Sequence, residues 1–198
     1  RTSNAVPFPA PLQDVKAAIR FLRANAAEFC IDPNRIAVMG ESAGGTMASL
    51  AGVTAGMPEY EVGENLETSS AVQAVVDFYG LTDMSTMPDH SEDANVADWT
   101  MEAFLGGITP EKLDKTSAVN YVTKDTPPFM ILHGDADITV AMANSENLYN
   151  RLVECGVPAE FYVLEGAAHG DDMFYQPPMF DLIDAFLKQH LGKCPVRF

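Results

Sequence analysis

The sequence predicts an α/β fold, in which a parallel sheet is covered by helices. Four apolar runs of strand length recur along the chain, at residues 36–39, 71–79, 129–133 and 159–164. The segments between them show either the apolar spacing of a helix or residues that favour turns. Strands that alternate with helices pair in parallel through crossover connections. We therefore expect a parallel sheet with flanking helices. The continuously apolar first strand is of the kind that is buried on both faces of such a sheet.

Four helices are predicted beside these strands, at residues 12–29, 43–52, 141–155 and 178–191. In the first helix the apolar residues form one stripe, and polar residues such as Lys16 and Arg20 form the opposite face. Pro33 excludes a continuation of this helix. Gly156 and Gly192 follow the last two helices and favour helix ends.

Residues 85–126 form the least regular part of the chain. Short helices are expected there, around residues 95–105, 110–114 and 116–120. A long insert in a compact domain is often functional, for example as a lid or pocket wall. We therefore predict a single, partial domain over residues 1–198 with a small cap-like insert at about 85–126.

The charge balance excludes one class of partner. Of 198 residues, 28 are acidic and 12 are basic, which gives a net charge of -16. Nucleic-acid binding needs a basic face and is therefore not expected. No apolar run approaches the length that spans a bilayer, so no membrane association is expected either. The 3 cysteines lack metal-ligand spacing, and we expect no metal site. The compartment stays open between cytoplasmic and secreted.

A short G-x-S-x-G motif follows the first predicted strand and opens the next helix. This strand-to-helix context is the one in which the motif marks an exposed nucleophile, here Ser42. We expect Gly40 and Gly44 to be required because a Cβ at either position would clash in so tight a turn. The N–H of Ala43 lies at the helix N-terminus, where it can donate to a developing oxyanion. The whole elbow comprises Gly40, Glu41, Ser42, Ala43, Gly44 and Gly45.

Candidate partners for Ser42 follow two other strands. Asp135 and Asp137 follow the third, and His169 follows the fourth. The carboxyl ends of strands in an open α/β sheet form one ligand-binding edge, and the order Ser, Asp, His is that of a known hydrolase triad. The residues alone leave Asp135, and less strongly Asp83, open as alternative acids. His133, at the end of the third strand, is expected only to cap that strand by hydrogen bonding.

Residues 8–169 resemble the α/β-hydrolase fold, in its bacterial esterase/lipase branch related to hormone-sensitive lipase. The matching stretches are FPAPLQDVKAAIRFLRANAAEF, IDPNRIAVMGESAGG, VVDFYGLTDM, TPPFMILHGDADITV and EGAAHG. The resemblance implies Ser42 as nucleophile and His169 as base. It favours Asp137 as the acid because the family places that residue in D-x-x-V. It also implies catalysis without a metal or organic cofactor.

The function expected from this resemblance is that of a serine carboxylic ester hydrolase. Its substrates would be small or short-acyl esters, including esters linked to carbohydrate. Two alternatives stay open: a serine peptidase of the prolyl-oligopeptidase type, and a catalytically impaired hydrolase-like module for interactions.

One family feature is missing from the sequence. In the family, a second oxyanion donor comes from an HGGG-type loop near the N-terminus, whereas this chain has no glycine before Gly40. We therefore expect the chain to be the C-terminal part of a longer hydrolase. Its nucleophile strand would then lie at a sheet edge, covered by another copy or by the missing N-terminal part. Without the second donor, turnover is expected to fall about a hundredfold to a thousandfold.

Overall fold

The computed structural model describes residues 5–86 and 96–192, without the side chains of residues 96–100. In chain order, its main elements are α1 (Ala10–Ala24), β1 (Ala37–Glu41), α2 (Ala43–Val53), β2 (Ala74–Phe78), α3 (Val96–Leu105), α4 (Pro110–Thr116), β3 (Phe129–Gly134), α5 (Ala143–Glu154), β4 (Ala159–Leu164) and α6 (Pro177–Leu191). Short 3₁₀ turns lie at Pro58–Tyr60, Met84–Thr86, Ala118–Tyr121 and Asp172–Tyr175.

The strands form one parallel sheet in the order β1-β2-β3-β4. Gly40 pairs with Asp77, and Asp77 in turn pairs with Ile131. The loops that follow β1, β3 and β4 therefore all leave the sheet on the same side, at the carboxyl ends of the strands. This architecture confirms the predicted fold class.

Helices cover both faces of the sheet. Alternate side chains of β2 point to opposite faces, so Val75 belongs to one core and Val76 to the other. The Val75 core also contains residues of α1, α2 and α5, and the Val76 core contains residues of α6. Both cores bury apolar surface against the two central strands, which explains why β2 and β3 are buried along their whole length.

Strand β1 differs from its predicted environment. Its apolar sequence predicts a strand that is buried on both faces, but Met39 is 60% exposed and Ala37 and Val38 are only half-buried. The physical reason is its position, because β1 pairs only with β2 and lies at the edge of the described sheet. The prediction that the nucleophile strand lies at an edge is confirmed.

Helix α1 is shorter than predicted, and two residues of its polar face are buried. It ends at Ala24, where the Asn25 N–H makes the last helical bond, 3.1 Å to the Phe21 carbonyl, and the Asn25 side-chain amide donates to the same carbonyl at 2.8 Å. Lys16 and Arg20 are fully buried, not exposed, and both form ion pairs with Glu61. The acidic loop that follows α2 therefore packs on α1.

The insert contains helices close to the predicted positions. α3, α4 and the turn at Ala118–Tyr121 occupy them, and Met84, Met101 and Leu105 form a small apolar cluster beneath. Residues 87–95 of the insert lie outside the described residues. That the insert acts as a cap stays a prediction.

Candidate active site

Ser42 occupies a strained turn between β1 and α2. Its backbone has φ 51° and ψ -120°, a region that residues with a side chain rarely adopt. The turn is held by a hydrogen bond from the Ser42 N–H to the Phe78 carbonyl, at 2.9 Å. A Cβ added to Gly40 would lie 2.2 Å from the Gly44 carbonyl oxygen, so a larger residue cannot fit at position 40. The turn presents the Ser42 hydroxyl at the carboxyl edge of the sheet.

The steric requirement at Gly44 was predicted wrongly. A Cβ added to Gly44 would meet no heavy atom of the described residues within 4 Å. The crowded position is its neighbour Gly45, where a Cβ would lie 2.3 Å from Asp77 Oδ1 and 2.9 Å from the Phe78 carbonyl oxygen. The difference arises because Gly44 faces solvent, whereas Gly45 faces β2.

The predicted nucleophile, base and acid lie in one hydrogen-bonded row. His169 Nε2 lies 2.8 Å from Ser42 Oγ. On the other side of the ring, Nδ1 lies 2.7 Å from Asp137 Oδ2. The Asp137 side chain is 1% exposed and that of His169 is 21% exposed, so the carboxylate is shielded while the imidazole reaches the surface. Such a row can transfer the hydroxyl proton of Ser42 to the imidazole.

The Asp137 carboxylate is oriented by its own loop. Its Oδ1 accepts hydrogen bonds from the backbone N–H groups of Thr139 and Val140, at 2.8 and 2.9 Å. These bonds leave Oδ2 to accept from His169.

The other two candidate acids are engaged elsewhere. Asp135 Oδ1 accepts from the Gly166 N–H at 2.6 Å and thereby ties the loop after β3 to the loop after β4. Asp83 accepts from Ser85 and from the side-chain amide of Asn147. Among the three candidates, Asp137 is the carboxylate that contacts His169.

His133 lies behind the site, where it is completely buried. Its ring nitrogens bond to Ser145 Oγ, at 2.7 Å, and to the Val140 carbonyl, at 3.0 Å. These bonds join the end of β3 to α5 and to the loop that follows the strand, and that His133 caps the strand stays a prediction. Burial lowers the pKa of His133, so the ring is neutral at pH 7. Its Nε2 lies 3.4 Å from Asp137 Oδ2, and a neutral ring there adds no charge beside the acid.

Ala43 is the first residue of α2, and it is exposed. The first N–H groups of a helix have no partner inside it, and the helix dipole favours negative charge at this end. Ala43 directly follows Ser42, and that its N–H donates to an oxyanion beside the serine hydroxyl stays a prediction.

Sequence reasoning missed the role of Tyr79. This residue directly follows β2, is 1% exposed, and packs its ring against His169 with 4.7 Å between ring centroids. Its hydroxyl donates to Glu41 Oε2 at 2.9 Å. The only available sequence signal was an aromatic residue at a strand end on the ligand-binding edge, which is too common to identify a site.

Among the side chains that the structure describes, no group of three or more His, Cys, Asp or Glu is placed to hold a metal ion. In the described part of the chain, no helix combines the length and apolar character needed to cross a membrane.

Comparisons with known proteins identify esterases that are similar to this chain. The chain is 32% identical over 169 residues to esterase LipC of Mycobacterium tuberculosis, a match that covers 84% of this chain and 42% of that protein. The chain therefore spans less than half the length of this curated relative.

Two solved structures are similar along nearly the whole chain. A truncated form of a carbohydrate esterase from gut microbiota superimposes with a TM-score of 0.88 at 35% identity, and the match covers 98% of this chain and 72% of that one. An acetyl ester-xyloside bifunctional hydrolase from Caldicellulosiruptor lactoaceticus has a TM-score of 0.76 at 29% identity, over 93% and 66% of the two chains. The BD-FAE family model matches residues 1–152. The chain therefore belongs to the BD-FAE family of α/β-hydrolase esterases.

Proposed function

We propose that this chain carries the catalytic triad of a serine carboxylic ester hydrolase. Ser42 is the nucleophile, His169 the general base and Asp137 the acid that orients the base. The observation that carries the proposal is the continuous row of two hydrogen bonds, 2.8 Å from Ser42 to His169 and 2.7 Å from His169 to Asp137. A serine hydroxyl needs such a base to become a nucleophile.

The proposed reaction has two halves. Ser42 Oγ attacks the ester carbonyl carbon as its proton moves to His169 Nε2, and Asp137 stabilises the resulting imidazolium. The Ala43 N–H donates to the oxyanion that forms. The intermediate then collapses, His169 protonates the departing alcohol, and the acyl group stays on Ser42. A water molecule, activated by His169, releases the carboxylic acid and restores the serine.

Short-acyl esters linked to neutral carbohydrate are the proposed substrates. The similar structures are named as a carbohydrate esterase and an acetyl ester-xyloside hydrolase, which supports this choice. The net charge of -16 supports a neutral alcohol group, because an acidic surface repels anionic substrates. The peptidase and interaction-module alternatives are not favoured, since the curated mycobacterial relatives are named as esterases or a carboxylic ester hydrolase.

A fluorophosphonate probe tests the nucleophile without requiring turnover. The wild-type chain should be labelled at Ser42, and Ser42→Ala should not be labelled. Ser69→Ala is the matched control, because Ser69 is an exposed serine on a loop, and it should label like wild type. Labelling that persists in Ser42→Ala would overturn the assignment. Release of acetate from acetylated xylo-oligosaccharides, compared with release of ferulate from feruloylated ones, then tests the acyl group.

A further inference from the structure

Tyr79 has a backbone conformation that a bulky residue rarely adopts. Its φ is 41°, in the left-handed region that favours glycine. The conformation is kept in place by a hydrogen bond from the Tyr79 N–H to the Leu132 carbonyl, at 2.8 Å. Strained residues cluster at functional sites, where surrounding contacts maintain them. The contacts of the Tyr79 side chain therefore indicate which function depends on this backbone conformation.

The Tyr79 ring packs directly against the imidazole of His169. The two rings are 4.7 Å apart between centroids and inclined at 62°, an edge-on contact. Phe174 packs on the same tyrosine, also at 4.7 Å. Because Tyr79 is itself buried, it acts as a wall that limits rotation of the imidazole away from Ser42.

The Tyr79 hydroxyl is anchored to the elbow. It donates to Glu41 Oε2 at 2.9 Å, and Tyr175 donates to the same carboxylate oxygen. Glu41 immediately precedes Ser42, and Tyr175 lies in the turn that follows the His169 loop. One carboxylate therefore connects the segment that carries the nucleophile with Tyr79, which contacts the base, and with the turn after the His169 loop.

We propose that Tyr79 and Glu41 are positioning residues that hold the His169 imidazole within hydrogen-bonding distance of Ser42. Neither residue touches the reacting atoms. This inference rests on the proposed function in one respect, since it assigns to His169 a position that matters for proton transfer. Burial and the hydrogen bond to Glu41 raise the pKa of Tyr79, so its hydroxyl stays a donor at neutral pH.

The test separates the ring from the hydroxyl. Tyr79→Phe keeps the ring but removes the bond to Glu41, whereas Tyr79→Leu removes both. Misplacement by about 1 Å can cost about a hundredfold in rate. We expect kcat on p-nitrophenyl acetate to fall about a hundredfold in Tyr79→Leu and about tenfold in Tyr79→Phe. KM should change less than about threefold, because neither side chain binds substrate. Glu41→Ala, which removes the acceptor of the Tyr79 hydroxyl, should resemble Tyr79→Phe.

Tyr162→Phe is the matched control. It removes a similar tyrosine–glutamate bond, 2.8 Å from the Tyr162 hydroxyl to Glu160 Oε2, on β4. It should keep wild-type kcat and KM.

A spectroscopic readout keeps the inference testable apart from turnover. The proton on His169 Nδ1, bonded to Asp137, should give a downfield ¹H NMR signal that His169→Ala removes. We expect Tyr79→Leu to broaden or remove this signal and Tyr162→Phe to leave it unchanged.

Two outcomes would overturn the inference. One is a folded Tyr79→Leu with the wild-type signal and kcat within twofold of wild type. If Tyr79→Leu does not fold, Glu41→Ala decides instead, since Glu41 is exposed and alanine cannot accept from Tyr79. A wild-type signal and kcat in Glu41→Ala would be the second contradictory outcome. Failure of the proposed function is distinguishable, because it appears as a wild-type chain whose Ser42 is not labelled by fluorophosphonate.

Discussion

Asp137 and Asp135 are two residues apart, yet their carboxylates have different hydrogen-bond partners. Asp137 has one oxygen fixed by two backbone N–H groups and the other facing His169. Asp135 instead bonds the backbone of Gly166, between two loops. Orientation by the local turn, not chemical type, separates the two carboxylates.

Replacing either aspartate with asparagine should therefore have unequal effects. We expect Asp137→Asn to lower kcat by about 10⁴-fold, because an amide favours the wrong imidazole tautomer. Asp135→Asn should lower kcat by less than about tenfold, since its oxygen can still accept from Gly166. Steady-state kinetics on p-nitrophenyl acetate measures both. A larger loss in Asp135→Asn than in Asp137→Asn would show that the wrong carboxylate has been assigned.

Asp77 is a buried carboxylate that packs against Gly45 of the elbow. Its oxygens accept from Ser49 Oγ and from the Gly80 N–H, both at 3.0 Å. Burial raises the pKa of Asp77 to about 6, although these two hydrogen bonds partly oppose the shift. Asp77 thereby joins α2 to the turn after β2, although burial disfavours its ionised form.

The titration of Asp77 should make stability depend on pH. A raised folded-state pKa means that the folded protein holds a proton that the unfolded chain releases above about pH 4. The stabilisation that Asp77 contributes is complete below about pH 4 and is lost as the pH rises through about 6. This loss should be about 3 kcal/mol in the free energy of unfolding.

Asp77→Asn removes this titration while keeping hydrogen-bonding groups of the same shape. Urea unfolding of wild type and variant between pH 4 and 7 measures the effect. The free energy of unfolding of the variant should rise relative to that of wild type across this range. Parallel curves for the two proteins would contradict the prediction.

At the scale of elements, the strand-to-helix elbow depends on two close backbone contacts. Gly40 faces the Gly44 carbonyl and Gly45 faces Asp77 and β2. The G-x-S-x-G pattern identifies Gly40 and Gly44 but does not include Gly45. Packing of α2 on β2 therefore adds a requirement that the motif itself does not express.

Alanine at the three glycines should separate these contacts. We expect Gly40→Ala and Gly45→Ala to lower the melting temperature by at least about 4 °C, because a Cβ would collide with backbone or with Asp77. Gly44→Ala should leave it unchanged or raise it, since alanine is the better helix former and finds open space. Differential scanning calorimetry is the measurement. A destabilised Gly44→Ala with a stable Gly40→Ala would contradict the steric explanation.

Helix α1 shows how a neighbouring element changes the environment of a polar face. Its spacing of apolar residues is helical, as predicted, but Lys16 and Arg20 are covered by the loop that contains Glu61. Lys16 Nζ also donates to the Thr54 carbonyl at 2.5 Å. Burial lowers the pKa of Lys16, and the ion pair with Glu61 opposes that shift. Helical periodicity alone cannot reveal such partners, because they lie some forty residues along the chain.

At the scale of the whole molecule, each of the two edge strands of the described sheet exposes an apolar residue. Strand β1 carries the nucleophile turn and exposes Met39, and β4 exposes Val163 at the other edge. An unpaired apolar edge strand invites pairing with another chain. That β1 is covered by another copy or by an N-terminal part stays a prediction.

Light scattering of this chain at several concentrations tests association through β1. We expect the wild-type chain to associate and Met39→Lys to shift it toward the monomer, because a charge on an edge strand opposes pairing. Val163→Lys, a matched change on the opposite edge, should leave association as in wild type. A wild-type chain that stays monomeric at all concentrations would contradict the prediction.

Much of the fold and the site was accessible from local sequence. The alternation of strands and helices, the elbow around Ser42 and the strand ends that carry Asp137 and His169 all follow from periodicity and turn chemistry within short windows. These features are local, because backbone sterics and apolar spacing act over a few residues. For the same reason, errors appear at the end of α1 and in the exposure of β1.

The sequence by itself determined the fold class, the family and the order of the three proposed catalytic residues. Only the tertiary structure decided that Asp137 rather than Asp135 meets His169, that Gly45 is crowded while Gly44 is open, and that Tyr79 packs on the imidazole. Ser42 and His169 are 127 residues apart, and their 2.8 Å contact depends on how the parallel strands pair. Side-chain direction at such distances is set by packing of the whole sheet, which no short stretch of sequence encodes.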